Sequence, residues 1–406
     1  KKAEINNQLF INQERNDILN NTRKHSAFLV LGIFLLGACM RTPVTSIPSI
    51  VGEIAASFHV ATTSLGILTT IPLICFGLVA VVVPMIGQKL GNELTIAIAL
   101  LILFAGSWLR VLNYASLMIG TLLVGIGITF LNVLLPAIIT ENLPDKIGSM
   151  TSLYNVSLAL FSAIGAYAIT PVAQNSSWQF SVMLLSMLVL ATLVLWLPNL
   201  RFNQRGTSEA TSTGINMWKN KTAWLILVYF GLSSFVFYTT VAWLPSIAIS
   251  AGLSSNQSSL IAGMFQLFSM PGAFLAPLWA TKLSNRTPLI LGAGIFTILG
   301  YLGLMMPFHS FGWFVFVSLI LAIGTSATFA LIMTLFSLKT KTPVNTGKLS
   351  GMAQSLGYLL AAFGPMLVGN LKAASGSWFA GELTTMLVAV VFTIFGVLSE
   401  RKPFVD

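Results

Sequence analysis

The sequence predicts an all-α membrane protein with twelve transmembrane helices in two pseudo-symmetric six-helix bundles. Hydrophobic residues make up 55% of the 406 residues and charged residues only 8%, whereas soluble domains carry about 25% charged residues. Twelve successive apolar stretches are long enough to span a bilayer. Short motifs of the first half recur in the second half, which indicates two related bundles.

The twelve apolar stretches follow one another along the whole chain. Each is close to or above the roughly 17–25 residues that a spanning helix needs. They lie at 26–52, 60–88, 94–110, 114–140, 147–173, 178–198, 222–250, 258–281, 287–308, 312–338, 348–371 and 378–399. We refer to them as spans 1 to 12.

Polar segments divide the chain into domains. Residues 1–25 are polar and rich in Asn, so they predict an amino-terminal tail. The longest polar connection, 199–221, contains Gly, Ser and Thr and is typical of a flexible linker. It separates an amino-terminal bundle at 26–198 from a carboxy-terminal bundle at 222–399, and residues 400–406 form a second tail.

The placement of positive charge predicts the orientation. Of the 21 Lys and Arg residues, 18 fall on the side that holds the amino terminus, and two, Arg110 and Lys372, fall on the other side. This bias predicts a multi-pass protein of the cytoplasmic (plasma) membrane with both termini in the cytoplasm. It also explains the net charge of +10 without a nucleic-acid partner. The expected partners are the lipid bilayer and a small-molecule substrate, and the protein is expected to be a monomer.

The sequence lacks the patterns that carry enzymatic or metal chemistry. Cys39 and Cys75 lie in apolar stretches without metal-binding spacing. There is no nucleophile–base pair and no phosphate loop. The glutamates of the membrane region fall near span ends, at Glu53, Glu93, Glu141 and Glu382. The sequence therefore predicts that the protein is not an enzyme, holds no cofactor or metal, and has no deep carboxylate relay.

Arg41 is the one basic residue that the sequence places deep in a span. At about 1.5 Å per residue it lies roughly 15–20 Å from either end of span 1. A guanidinium at that depth costs at least about 2.5–3.5 kcal/mol and keeps its charge. One interpretation is a structural Arg that joins helices through backbone carbonyls. The favoured interpretation is an Arg that faces a water-filled cavity and binds an anionic or electron-rich ligand.

An internal repeat pairs Arg41 with Tyr238. An offset of 197 residues aligns 41–50 with 238–247, and Thr, Val and the run Pro-Ser-Ile coincide. Arg41 and Tyr238 then occupy equivalent positions in spans 1 and 7. We expect them to face each other across the pseudo-twofold axis and to contact the same substrate.

Polar residues in other spans extend this candidate site. Each has two interpretations, a substrate contact or a hydrogen bond between helices. Gln354 and Tyr358 are four residues apart and share a helix face. Trp243 is interpreted either as an aromatic anchor at the membrane surface or as a cavity gate. The candidate substrate-binding residues are Arg41, Tyr238, Asn132, Gln354, Tyr358, Tyr154, Asn155, Gln266 and Trp243.

Several motifs resemble a known family. They are Arg41-Thr42-Pro43, Asn132-Val133-Leu134-Leu135-Pro136, Met150-Thr151-Ser152-Leu153-Tyr154, Phe237-Tyr238 with Trp243-Leu244-Pro245, and the run from Leu349 to Tyr358. With them the whole chain resembles the major facilitator superfamily, and most closely its cyanate permease and nitroimidazole transporter branch. The resemblance implies a central cavity, alternating access, and a cavity lined by spans 1, 4, 7 and 10. The loop after span 2 departs from the family pattern, with Gln88 where an Asp is usual.

These observations predict a secondary active or facilitative transporter. Its expected substrate is a small anion or a small, polar, electron-rich organic molecule, bound centrally by Arg41. The alternative is a multidrug exporter of apolar compounds, in which Phe34, Phe237 and Phe265 form the cavity wall and Arg41 is structural. A receptor or an intramembrane enzyme is disfavoured, because the chain has neither a sizeable soluble module nor catalytic groups.

Overall fold

The structure, a computed structural model, describes residues 27–143, 146–203, 216–340, 343–402 and 404–405. The predicted amino-terminal tail at 1–25 and most of the predicted linker lie outside the described residues. Twelve helical segments of the described chain are long and apolar enough to cross a membrane. The predicted all-α class and the predicted number of spans are therefore confirmed.

Fourteen α-helices make up the described part of the chain. They are α1 (27–45), α2 (Val51–Phe58), α3 (Ile67–Val79), α4 (Val83–Leu90), α5 (Asn92–Leu109), α6 (Tyr114–Asn142), α7 (Ile147–Asn175), α8 (Trp178–Trp196), α9 (Lys221–Ser250), α10 (Ser255–Lys282), α11 (Thr287–Met305), α12 (Phe311–Leu338), α13 (Pro343–Ser375) and α14 (Phe379–Glu400). Spans 3 to 12 correspond to α5 to α14, one helix each.

The first two spans are interrupted by short 3₁₀ turns. A turn at Ile47–Ile50 separates α1 from α2. It contains Pro48, which has no N–H to continue the hydrogen-bond ladder of a helix. A second turn, Thr62–Gly66, precedes α3. Proline thus breaks span 1 within two turns of Arg41.

Polar side chains cap the start of many spans. Each of these caps satisfies backbone N–H groups that a helix leaves without an internal partner. The capping residues are Asn113 for α6, Ser177 for α8, Asn220 for α9, Ser254 with Gln257 for α10, and Ser310 for α12.

The helix contacts of the two halves are equivalent. In the first half α5 packs on α6, α3 on α6, α5 on α8, and α7 on α8. The corresponding pairs of the second half, α11 with α12, α10 with α12, α11 with α14, and α13 with α14, are also in contact. The halves meet through α3 with α13 and α7 with α10, which are themselves an equivalent pair. This arrangement agrees with the repeat seen in the sequence.

The halves are joined most tightly at one side of the molecule. We call the side on which α8 ends and α9 begins the linker side, and the other the far side. On the far side the Thr170 hydroxyl is hydrogen-bonded to that of Ser259 in the other half, and it also donates to the Ser49 carbonyl at 3.0 Å. Nearer the middle, Ser355 Oγ donates to the Gly77 carbonyl at 2.7 Å.

Trp243 completes the far-side contact, which we call the far-side seam: Trp243, Gly66, Thr170 and Ser259. Its side chain is buried, and its Nε1 donates to the Pro365 carbonyl at 2.8 Å. The ring lies so close to Gly66 of the other half that a Cβ built there would be 2.7 Å from it. The seam therefore depends on a residue without a side chain at position 66.

The halves separate toward the linker side. There α4, which continues span 2, packs on α5 and α6 of its own half. Asn132 of α6 and Asn155 of α7 are exposed, although both lie within spans. We infer from these contacts and exposures that a cleft between the halves is closed on the far side and reached from the linker side.

Gly66→Val tests the far-side seam. The new side chain overlaps the Trp243 ring, so we expect more molecules to open on the far side. Spin labels at Gln174 and Asn256, which are exposed on α7 and α10, report the separation by double electron–electron resonance. The distance distribution should gain a longer component in Gly66→Val.

Gly52→Val is the matched control, because a Cβ at Gly52 meets nothing within 4 Å. Its distance distribution should equal that of the wild type. Equal distributions for Gly66→Val and Gly52→Val would contradict the role given to Gly66.

Candidate functional site

Arg41 is held by an aromatic ring and is not paired with a protein anion. Its Cζ lies 4.8 Å from the centroid of the Phe237 ring, within the roughly 6 Å of a cation–π contact. The side chain is partly exposed. Among the described residues, no carboxylate pairs with Arg41 and no backbone carbonyl accepts a hydrogen bond from its guanidinium. Apart from its interaction with the Tyr238 hydroxyl, the guanidinium therefore has donors available to a ligand.

The structure brings Tyr238 and Tyr358 to Arg41. The Tyr238 hydroxyl interacts with the Arg41 guanidinium and with the Tyr358 hydroxyl. Tyr358 also interacts electrostatically with the Arg41 charge. The two tyrosine rings meet edge to face, with centroids 6.2 Å apart. Arg41 belongs to the first half and both tyrosines to the second. The expected juxtaposition of Arg41 and Tyr238 across the two halves is what the structure contains.

Further aromatic rings enclose this polar group. Tyr358 packs edge to face on Phe230 at 5.1 Å and on Phe76 of the other half at 5.3 Å. Phe237 contacts Phe265 with ring centroids 6.0 Å apart. Apolar walls lower the local dielectric constant, which strengthens the attraction between a cation and an anion that enters.

Four other candidates lie along the cleft on its linker side. Asn132 and Asn155 are exposed, and Tyr154 interacts with the Asn155 side chain. Gln354 is partly buried one turn from Tyr358, and its Nε2 donates to Ser350 Oγ at 2.7 Å. These residues do not touch the guanidinium in the described contacts.

The helix face of Asn132 indicates where its side chain lies. Gly125, Thr129 and Asn132 share a face of α6 by the 3.6-residue period. The face is buried at Gly125, which packs against Pro72 of α3, and at Thr129. It becomes exposed at Asn132, nearer the linker side. Asn132 therefore lies where α6 no longer packs against α3.

Two candidates are buried apart from the cleft. Gln266 is 2% exposed, and its Oε1 has no hydrogen-bond partner among the described residues. Trp243 is 1% exposed and lies in the far-side seam. The interpretation of Trp243 as an aromatic anchor at the membrane surface is wrong, because the ring is enclosed between the two halves. The tertiary contact with Gly66 overrides the surface preference of Trp.

A second arginine, which the sequence placed on the far-side surface, is buried beside the break in span 1. Arg110 is 2% exposed. Its Nη1 donates to the Pro43 carbonyl at 2.7 Å, and its Nε donates to Thr121 Oγ1 at 3.1 Å. Arg110 thus supports the backbone two residues after Arg41.

The sequence did not indicate Phe237 as the partner of Arg41. Its only signal was the position next to Tyr238, and it was assigned to the wall of the alternative exporter. Arg110 carried no signal at all, because its acceptor, the Pro43 carbonyl, is 67 residues away along the chain. Both contacts depend on how α1 packs.

Two equivalent helical halves with a cation at their junction are typical of membrane transport proteins. The sequence profile of the Major Facilitator Superfamily matches residues 29–365 and 249–403. The chain belongs to this superfamily. It is a transporter of small molecules.

Comparisons with individual proteins agree. The chain is 33% identical to the uncharacterized transporter YycB of Bacillus subtilis (strain 168), covering 95% of this chain and 96% of that one. It is 31% identical to the 2-nitroimidazole transporter of Escherichia coli (strain K12), covering 93% and 96%. It is 24% identical to the cyanate transport protein CynX of the same organism, covering 86% and 91%.

The fold is also that of a solved transporter. A bacterial homologue of the human lysosomal transporter Spinster superimposes with a TM-score of 0.76, at 15% identity, over 93% of this chain and 97% of that chain. The predicted resemblance to the cyanate permease and nitroimidazole transporter branch and the predicted fold are thus confirmed.

Arg110→Met tests the structural role of the second arginine. The substitution leaves the buried Pro43 carbonyl without its donor, which we expect to lower the free energy of unfolding by about 1–3 kcal/mol. Thermal unfolding of the purified protein in detergent measures the change. Lys282→Met, which removes an exposed cation, should leave the melting temperature unchanged. An equal melting temperature for both variants would contradict the role of Arg110.

Proposed function

We propose that this transporter moves a small anion, or a small, polar, electron-rich organic molecule, and that Arg41 binds it. The observation that carries the proposal is the Arg41 guanidinium itself. It lies against Phe237 with no protein anion among the described residues. Natural membrane proteins place such a charge where it is used, because an unpaired cation at this depth is costly.

The bound substrate completes the site from both halves. Arg41 supplies the positive charge, Tyr238 and Tyr358 supply hydroxyl groups, and Asn132 and Gln354 line the approach. An anion neutralises the guanidinium, so the occupied site is cheaper to enclose than the empty one. Substrate binding therefore favours closure of the cleft, which is the step that alternating access requires.

The names of two relatives support this substrate class. One relative is named as a transporter of 2-nitroimidazole and another as a cyanate transport protein. Both named compounds are small and polar, and both present atoms with lone pairs to a hydrogen-bond donor. Cyanate is an anion, and a nitro group offers two oxygen atoms to a guanidinium, which is planar and carries its donors in a fixed fork.

The alternative of a multidrug exporter requires Arg41 to be structural. A structural arginine in this fold looks like Arg110, which is 2% exposed and donates to a backbone carbonyl and a threonine hydroxyl. Arg41 has neither feature. Of the three aromatic residues named for that alternative, Phe237 contacts Arg41, and Phe34 packs on Phe161 of α7 at 5.9 Å. These contacts favour a substrate that is recognised by charge.

We also propose that the linker side faces the cytoplasm. The sequence assigns eighteen of the 21 basic residues to that side. The cleft is then open to the cytoplasm, and the far-side seam closes it to the exterior.

Substitution of Arg41 tests the proposed site. Both Arg41→Ala and Arg41→Lys should weaken binding of cyanate or 2-nitroimidazole at least about tenfold, or about 1.4 kcal/mol. A Lys ammonium does not reproduce the planar stacking on Phe237 or the donor fork. Tyr238→Phe should cost about 0.5–1.5 kcal/mol, the contribution of one neutral hydrogen bond. Isothermal titration of purified, folded protein measures these affinities.

Lys282→Ala controls for the removal of a positive charge and should bind as the wild type does. If Arg41→Ala lowered the melting temperature but bound both compounds with unchanged affinity, Arg41 would be structural and the proposed site would be wrong.

Cysteine labelling tests the orientation. Lys219→Cys lies exposed on the linker side, and Asn256→Cys lies exposed on the far side. Both native cysteines are buried, so they add little background. A membrane-impermeant maleimide added to intact cells should label Asn256→Cys and spare Lys219→Cys. The reverse pattern would overturn the proposed orientation.

A further inference from the structure

A small cavity lies behind α9, within the second half and near the far-side seam. It holds a carboxyl group that the proposed substrate site does not use. Glu382 is only four residues into α14 by sequence, yet it is 6% exposed. Glu382 thus lies near a span end, as the sequence predicts, but its side chain is buried. The cavity is lined by Thr239, Thr240, Trp243, Tyr301, Glu382 and Thr385, together with apolar side chains.

No positive charge faces Glu382 from the helices around it. The cavity residues on α9 and α13 carry no titratable group, and α11 contributes Tyr301 alone. The nearest basic residue of α13, Lys372, is engaged at the far-side surface, where its Nζ donates to the Gly376 carbonyl at 2.6 Å. An ionised carboxylate here would be a buried charge without a partner in the described part of the chain, which is a costly state.

The hydroxyl groups of Thr240, Tyr301 and Thr385 already donate their protons to other acceptors. Thr240 Oγ1 donates to the Val236 carbonyl at 2.8 Å and lies 2.6 Å from Tyr301 Oη. Because Thr240 has one hydroxyl proton, Tyr301 must be the donor to Thr240. Thr385 Oγ1 donates to the Gly381 carbonyl at 2.8 Å. The oxygen atoms of these three residues therefore offer lone pairs to the cavity.

A carboxylate only accepts hydrogen bonds, so it does not complement these lone pairs. A protonated carboxyl group does, because it donates one hydrogen bond. Thr239 is the remaining hydroxyl of the cavity; it is 2% exposed and has no partner among the described residues. One neutral hydroxyl does not balance a full negative charge. The shortage of hydrogen-bond donors and the absence of a facing cation both favour a proton bound to the Glu382 carboxyl group.

The cavity is connected to both functional parts of the transporter. Tyr238 and Thr240 are two residues apart on α9, so they point to opposite faces of the helix. Tyr238 faces Arg41, and Thr240 faces the cavity. Trp243, one turn further, lines the cavity and also closes the far-side seam. Movement of Trp243 when the seam opens would therefore uncover the cavity on the far side.

We propose that Glu382 is a proton-binding site that is loaded from the far side, and that its protonation is required for the far-side seam to close. The closed state encloses the carboxyl group, so it binds the proton more tightly than the open state does. By linkage, the closed population is largest at low pH and declines as the pH rises. The proposal concerns the closing step and does not depend on which substrate Arg41 binds.

Infrared spectroscopy and spin-label distances test this site without any substrate. At neutral pH the wild type should show the carbonyl band of a protonated carboxylic acid, and Glu382→Gln should lose it. The separation between labels at Gln174 and Asn256 should increase in the wild type as the pH is raised. In Glu382→Gln, which imitates the protonated group, the labels should stay close at every pH.

Glu53→Gln is the matched control, because Glu53 is a partly exposed far-side carboxylate without a partner in the cavity. It should keep both the band and the pH response. The proposal would be overturned if Glu382→Gln kept the carbonyl band of the wild type. It would also be overturned if Glu382→Gln kept the pH response. A band that disappears when choline chloride is replaced by sodium chloride would overturn it as well, since the cavity would then be a sodium site.

Tyr301→Phe provides a second variant that leaves the carboxyl group in place. It removes an acceptor of the proposed hydrogen bond, so the band should change frequency and closure should need a lower pH. An unchanged band and an unchanged pH response in Tyr301→Phe would also overturn the proposal. Because these measurements use neither substrate nor Arg41, their failure is distinct from a failure of the proposed substrate site.

Discussion

The contact between the Arg41 guanidinium and the Phe237 ring is the interaction on which the rest of the structure depends. It places a cation of the first half against an aromatic ring of the second half, 4.8 Å from the ring centroid. The ring satisfies the charge only in part, since a cation–π contact contributes about 0.5–2 kcal/mol and a buried charge costs more. The remaining deficit is the physical basis of the proposed site for a negatively charged or electron-rich ligand.

Two arginines of the first half have different roles. Pro48 ends the regular helix of span 1, and Arg110 donates to the Pro43 carbonyl beside that break. The backbone near Arg41 is thereby fixed, while the Arg41 side chain has no carboxylate partner among the described residues. On the other side of the cleft α9 has a similar double role, because Tyr238 faces the site and Trp243 closes the far-side seam. A change at the site and a change at the seam are therefore carried by one helix.

The sequence allowed some of these features to be predicted and not others, for a physical reason. Twelve spans follow from the length and apolarity of each stretch, which are local properties. The meeting of Arg41 and Tyr238 follows from the repeat, because equivalent positions of two related halves face a common axis. Arg110 and Glu382 were not identified, because both lie near span ends, where sequence places residues at the surface. Their burial depends on partners far along the chain, such as Pro43 and Tyr301.

The most direct measurement of the central claim is the protection of Arg41 from an arginine reagent. Phenylglyoxal modifies accessible guanidinium groups, and mass spectrometry of peptides reads each arginine separately. With the cleft open, Arg41 should react, and Arg110 should remain unmodified because it is buried. Cyanate or 2-nitroimidazole should protect Arg41 in proportion to the fraction of sites that the compound occupies. Modification of Arg41 at the same rate with and without a compound that the protein demonstrably transports would contradict the claim that Arg41 binds the substrate.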